Sequence, residues 1–215
     1  PQWRGPARDG AVATFAEPAA WPAALTRRWQ LPVGTGSATP LVVGARVYVF
    51  GREGDDEVLR ALDAATGRQV WRAAYPAAFT LNPAARAHGA GPKSTPTHAD
   101  GRLFTLGMTG VVLAFDARDG RVLWQAPAPA EQPMYHTALS PVVDGGRVIV
   151  HVGGHDRGAL TAFDAATGRV VWQWTGDGPA YGSPLVATLG GVRQVITFTQ
   201  QYFVGVDAAT GALLW

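Results

Sequence analysis

This sequence predicts an all-β propeller, on three observations. An eleven-residue phrase, Ala-x-Asp-x-x-x-Gly-x-x-x-Trp, occurs four times and closes at Trp71, Trp124, Trp172 and Trp215, with Gly205 in place of Ala in the fourth copy. Short β-branched and aromatic runs bounded by Gly-rich turns precede each copy, and such runs read as strands. Apolar residues nowhere recur at i, i+3, i+4, i+7 over three turns, so almost no helix is expected. A period of roughly 40 to 50 residues marks an array of supersecondary units. Four-stranded antiparallel units at that period build blades around a central channel.

Each unit reads as four strands. The first opens on a hydroxyl residue and a proline, at Thr39-Pro40, Thr95-Pro96, Ser140-Pro141 and Ser183-Pro184. Proline is tolerated there because the first residue of a strand need not donate to the ladder. The second strand follows a Gly-rich turn, over 47–50, 103–106, 148–151 and 194–198. The third ends at the phrase's aspartate and the fourth closes at its tryptophan. Between these two, Asp63-Ala64-Ala65-Thr66-Gly67 and its counterparts form a tight hairpin: the carboxylate caps the turn and glycine supplies the positive φ. Repetition at the same turn in every blade marks Asp63, Asp116, Asp164 and Asp207 as turn caps rather than a catalytic carboxylate cluster. The tryptophan has the size to cover the gap between one sheet and the next.

The blades fall at about 36–71, 93–124, 138–172 and 181–215, after a lead-in over 1–35. In the lead-in, Thr26-Arg27-Arg28-Trp29-Gln30 reads as the outermost strand of a closing blade, because Trp29 lies one period ahead of Trp71. Four blades, a lone outer strand and an end on the last residue of a phrase predict part of a ring of about seven or eight blades.

Composition narrows the function classes. The chain is 47% hydrophobic and 16% charged, with a formal net charge of +2, the profile of a soluble globular protein. Lys93 is the sole lysine and no basic run occurs, which excludes nucleic acid as the main partner. The absence of cysteine excludes thiolate metal sites, a cysteine nucleophile and disulfides within these 215 residues. No stretch approaches the roughly 20 apolar residues of a transmembrane segment. Gly34-Thr-Gly36-Ser37 fits neither phosphate-binding fingerprint, and no Gly-x-Ser-x-Gly elbow occurs. The chain opens at Pro1 rather than Met, which fits a removed leader or a start within a longer sequence.

In its Ala-x-Asp-x-x-Thr-Gly-x-x-x-Trp form, the phrase resembles the tryptophan-docking repeat of the PQQ-like (pyrroloquinoline quinone) β-propeller family, and the resemblance covers nearly the whole chain. That family joins quinoprotein dehydrogenases with BamB-like non-catalytic members. The opening Pro1-Gln2-Trp3-Arg4-Gly5-Pro6-Ala7-Arg8-Asp9-Gly10 resembles the start of mature exported members. The resemblance implies a periplasmic or secreted protein of the bacterial cell envelope, acting as a non-catalytic scaffold for protein partners. The alternatives are a PQQ-dependent dehydrogenase of alcohols or sugars, and a carbohydrate- or small-ligand-binding propeller without redox chemistry. Dehydrogenase members hold PQQ between a tryptophan and an adjacent-cysteine disulfide, with calcium on Glu, Asn and Asp beside a catalytic Asp. Here cysteine is absent and the sole asparagine, Asn82, falls in a loop-like stretch. No cofactor is therefore expected, PQQ and calcium belonging to the dehydrogenase alternative, and no catalytic residue is assigned.

Two groups of polar residues remain. His151-Val-Gly-Gly-His155-Asp156 contains metal-ligand types. It spans a strand end and a Gly turn with no third histidine near, so a solvated hairpin is expected and no metal site is assigned. The residues just before the Ser/Thr-Pro strands converge at one mouth of the channel: His88, Lys93, Ser94, Tyr135, His136, Tyr181 and Ser183. They form the candidate ligand site, where Lys93 suits an anionic group such as a carboxylate. The competing expectation is a mouth that is polar because water fills it.

Overall fold

The computed structural model describes residues 1–12 and 14–215. Four antiparallel meanders follow one another along the chain. The first contains β1 (Leu41–Val43), β2 (Arg46–Glu53), β3 (Asp56–Asp63) and β4 (Gln69–Pro76). The second contains β5 (Thr97–Ala99), β6 (Arg102–Leu106), β7 (Val112–Asp116) and β8 (Val122–Ala126). The third contains β9 (Val142–Asp144), β10 (Arg147–Gly153), β11 (Gly158–Asp164) and β12 (Val170–Trp174). The last contains β13 (Leu185–Leu189), β14 (Val192–Phe198) and β15 (Phe203–Asp207). Among the described residues the one helical element is a 3-10 turn, Pro83–His88, which Asn82 caps by accepting from the Ala84 amide at 2.9 Å.

The outermost strands run beyond their tryptophans, so the first three blades reach Pro76, Ala126 and Trp174. The last blade departs from expectation in having three laddered strands. Its closing segment is held by the Val206–Leu213 bridge and by three backbone bonds between Gly205 and residues 214 and 215.

Both faces of the second and third blades are apolar because side chains alternate along a strand and each of these blades lies between two others. In the second blade, Leu103, Leu113 and Phe115 pack toward the first, against Tyr48, Leu59 and Trp71. Their neighbours Phe104, Val112 and Ala114 pack toward the third, against Val148, Val150 and Phe163. A third such layer, including Ile149, Leu160, Val195 and Val206, joins the last two blades.

Tryptophan closes each layer. The β3–β4 register slips between Ala61 and Leu62, and the same slip recurs at Ala114/Phe115 and Ala162/Phe163. One extra residue is thereby inserted just before each tryptophan, and a bulge of this kind re-aims the side chain that follows it. The indole Nε1 of Trp71 donates to the Ala117 carbonyl of the next blade at 3.2 Å; Trp124 donates to Ala165 at 3.1 Å and Trp172 to Ala208 at 3.1 Å. Each ring lies on the glycine of the neighbouring turn, where a Cβ at Gly120, Gly168 or Gly211 would come within 2.6 Å of it. Those glycines have φ near +75°, so conformation and space both demand glycine.

The lead-in does two things. Trp29 donates to the Ala64 carbonyl at 3.0 Å and sits on Gly67, as a preceding blade's tryptophan would, although its segment forms no ladder among the described residues. The extreme N-terminus lies at the inner edge instead: Pro1 accepts from the His98 amide at 2.9 Å, and Arg8, its guanidinium pushed down to about 10 by burial, donates to the Pro141 carbonyl at 3.4 Å.

In the turns, Asp164 Oδ1 accepts from the Thr167 hydroxyl at 2.7 Å and the Thr167 amide at 2.8 Å; Asp63 and Asp207 do the same with Thr66 and Thr210. These bonds, the hydroxyl's first, hold all three carboxyls below the usual range. A depressed folded pKa stabilises above the unfolded pKa near 4, and that contribution is lost as pH falls through the folded value. The melting temperature is therefore expected to drop more between pH 5 and 2.5 in the wild type than in a variant with Asn at 63, 164 and 207. An equal drop in both would exclude these turns as the acid-sensitive element.

Candidate functional site

The Asp turns occupy one end of the sheets, so the links from each outermost strand to the next innermost strand gather at the other end. Between blades this end is stitched by the hydroxyls that precede each proline. Thr95 Oγ1 accepts from the Thr39 amide at 3.1 Å, Ser140 Oγ from the Thr95 amide at 3.0 Å, and Ser183 Oγ from the Ser140 amide at 2.9 Å. This explains the recurrent Ser/Thr-Pro pair, and it puts Ser183 to structural use.

Five of the seven sequence-predicted residues converge beside this ladder. Lys93 Nζ donates to the Tyr135 carbonyl at 2.7 Å, and the Tyr135 amide donates to the Tyr181 hydroxyl at 3.3 Å. The Tyr135 ring meets His88 at 5.4 Å and Tyr181 at 5.5 Å, both edge-to-face. His136 is buried with φ at +60°, a costly conformation for a residue other than glycine. Its Nε2 accepts from the Asn82 amide at 3.3 Å, and Phe79, capped by Arg52, stands edge-on to its ring at 4.7 Å. Burial, and then the charge on Lys93, lower the imidazole's proton affinity, while burial lowers that of Lys93. Ser94, which follows Lys93 in sequence, is fully buried; neither its Oγ nor His136 Nδ1 has a hydrogen-bond partner.

This cluster offers a cation, hydroxyls and ring edges. It supplies donors for an anionic or polar group, and the histidine nitrogen that could have acted as a base is occupied by Asn82.

The other histidine group separates. His151 is buried, its Nε2 within 3.0 Å of the Asp177 carbonyl, and burial lowers its pKa to about 4. His155 is exposed beside Asp156 at 3.8 Å. Among the described residues no group of three or more His, Asp or Glu is placed to hold a metal ion.

Sequence reasoning missed two features of the same end. Clefts of about 520 and 510 Å³ lie along successive seams, one between residues 76–80 and the Thr109–Val111 turn, the other between 126–131 and the Gly153–Gly158 turn. The alternating Ala-Pro stretch at 126–130 was the available signal. Two buried carboxylates also bridge blades: Glu57 receives the Met108 amide at 2.7 Å, and Asp177 receives the Gln201 amide at 2.8 Å and the Thr199 hydroxyl at 2.6 Å.

Comparison with known proteins follows the repeats. The family model described as outer membrane protein assembly factor BamB matches residues 19–83 and 54–215. The BamB of Shewanella oneidensis is 31% identical over 121 residues, covering 54% of this chain and 30% of that protein. The BamB of Yersinia pestis is 30% identical over 133 residues, covering 59% of this chain and 31% of that protein. The matches thus span under a third of these curated relatives' length. The crystal structure of quinohemoprotein alcohol dehydrogenase from Comamonas testosteroni superposes with a TM-score of 0.61 at 20% identity, over 83% of this chain and 34% of that one. At that identity it shows the propeller fold alone.

Proposed function

This chain belongs to the PQQ-like repeat family of outer membrane protein assembly factor BamB, and from that membership we propose that it is a non-catalytic interaction scaffold of the bacterial envelope, at work in the periplasm on outer membrane protein assembly. The observation that carries this reading is a family match running through all four blades. Architecture agrees with it: the repeated residues are spent on turns, seams and ladders, which leaves the inter-blade links at one end free to vary and to meet a partner. No helix among the described residues is long and apolar enough to cross a membrane.

The residues present do not fit a quinone–calcium site. Asn82 is committed to capping the 3-10 turn, Glu57 to Tyr75 and Met108, and Asp177 to Thr199, Gly178 and Gln201. No redox step is derived from them.

Deletion of the coding sequence is expected to lower the amount of assembled outer membrane proteins, and the purified protein is expected to give no dye-linked alcohol oxidation when supplied with PQQ and Ca²⁺. Quinone-dependent turnover with a normal outer membrane protein profile would overturn the scaffold reading.

A further inference from the structure

We propose that the mouth around Lys93 is a docking site for an acidic side chain of a protein partner, with an apolar neighbour of that side chain seated on the Tyr135 and Tyr181 rings. The proposal rests on the scaffold reading and names the surface through which it would act.

Lys93 is half-buried, and no carboxylate stands within ion-pair distance of it among the described residues. Partial desolvation of an ammonium without a counter-ion is unfavourable, and the one hydrogen bond to the Tyr135 carbonyl leaves two of its three donors free. The charge on Lys93 also acts on His136, which adds repulsion once protonated, so an incoming carboxylate would relieve both. Two residues of the same cluster, Ser94 and His136, each bury a polar atom without a partner, Oγ and Nδ1 respectively. The Tyr135 ring beside it meets His88 and Tyr181 edge-on and is preceded by the exposed Met134, and tyrosine and methionine are types enriched at protein interfaces.

The shape favours a projecting side chain over an engulfed small molecule. Small ligands take deep clefts, and the clefts at this end lie on the blade seams, lined by other residues. His136, held at φ +60°, fixes the turn that aims the Tyr135 carbonyl at Lys93, so the cation is positioned before any partner arrives.

The test is a titration of the ¹⁵N-labelled chain with acetyl-Gly-Leu-Asp-Leu-Gly-amide and its Asn counterpart at millimolar concentration. The Asp peptide is expected to shift the amide signals of Lys93, Tyr135 and Tyr181. The Asn peptide, and the Asp peptide on Lys93→Met, are expected to bind about tenfold more weakly or worse, with Lys93→Arg retaining most of the affinity. Equal binding of the two peptides, undiminished binding to a folded Lys93→Met chain, or saturation of the same signals by sulfate alone would overturn the site. In cells, full outer membrane assembly by Lys93→Met would overturn the site and leave the scaffold reading standing; normal assembly after complete deletion would instead remove the scaffold reading itself.

Discussion

Replacing Trp124 with alanine is expected to cost about 3–5 kcal/mol, whereas the same change at Trp215, the matching residue of the fourth phrase, is expected to cost about 1 kcal/mol or less. The two tryptophans differ in surroundings, not in sequence context. Trp124 is 9% exposed, lies between Phe104 and Phe163 at 6.0 Å from each, and donates to the Ala165 carbonyl. Its loss opens a cavity between two blades and strands that carbonyl. Trp215 is 47% exposed, and its Nε1 turns back to Gln194 of its own blade at 2.8 Å. Denaturant titration of both variants measures the contrast, and equal losses would mean that blade contacts contribute little to the tryptophan's role. Gly168→Ala is a companion: its Cβ would stand 2.6 Å from the Trp124 ring at a φ of +73°, so it should lose stability without removing any apolar surface.

That contrast also marks how far the sequence could be read. Periodicity located the blades because each is one supersecondary unit with a fixed turn chemistry, and Asp, Gly and Trp are dictated locally. Gly205 was legible only as a small residue. In the structure a Cβ there would strike the Trp215 ring, which lies over its own blade against Gly205 and Gln194. The lead-in was half legible. Trp29 lies where the period puts it, but nothing in Pro1 to Arg8 announces pairing at the inner edge of β5. Lys93, Tyr135, His136 and Tyr181 could be grouped because the meander topology brings every inter-blade link to one end. Ser183 could not be told from them, because its partner, the Ser140 amide, lies on another blade. The seam clefts and the Glu57 contact depend on how neighbouring sheets face each other, which no local pattern encodes.

Glu57→Ala is expected to cost about 2–5 kcal/mol, because it leaves two buried donors unpaired and removes volume from the first seam. Glu57 is fully buried; it accepts from the Met108 amide at 2.7 Å and from the Tyr75 hydroxyl at 2.5 Å. Burial, and then the charge of Glu57, push the Tyr75 phenol well above its usual range, so it stays protonated and donates. Burial also raises the Glu57 carboxyl, against the opposing pull of the Met108 and Tyr75 bonds and of Arg52. The sign of the linkage is opposite to that of the turn aspartates. A raised folded pKa favours the native state fully below the unfolded value near 4.3, and that advantage is lost as pH rises through the folded value. Glu57→Gln keeps the volume beside Gly107 and can still accept from the Met108 amide while meeting the Tyr75 oxygen with its own N–H. It should therefore cost less than alanine and remove this part of the pH dependence. Stability curves of the three proteins from pH 4 to 8, with hydrogen exchange at the Met108 amide, check both points. If alanine and glutamine prove equally costly and equally dependent on pH, the seam is held by its apolar layer alone. If glutamine is spared and the Met108 amide is deprotected only in alanine, the carboxylate is what keeps the Thr109–Val111 side of the first cleft in place. That cleft shares its end of the propeller with the Lys93 mouth, so the alanine variant would also loosen the surface offered to a partner.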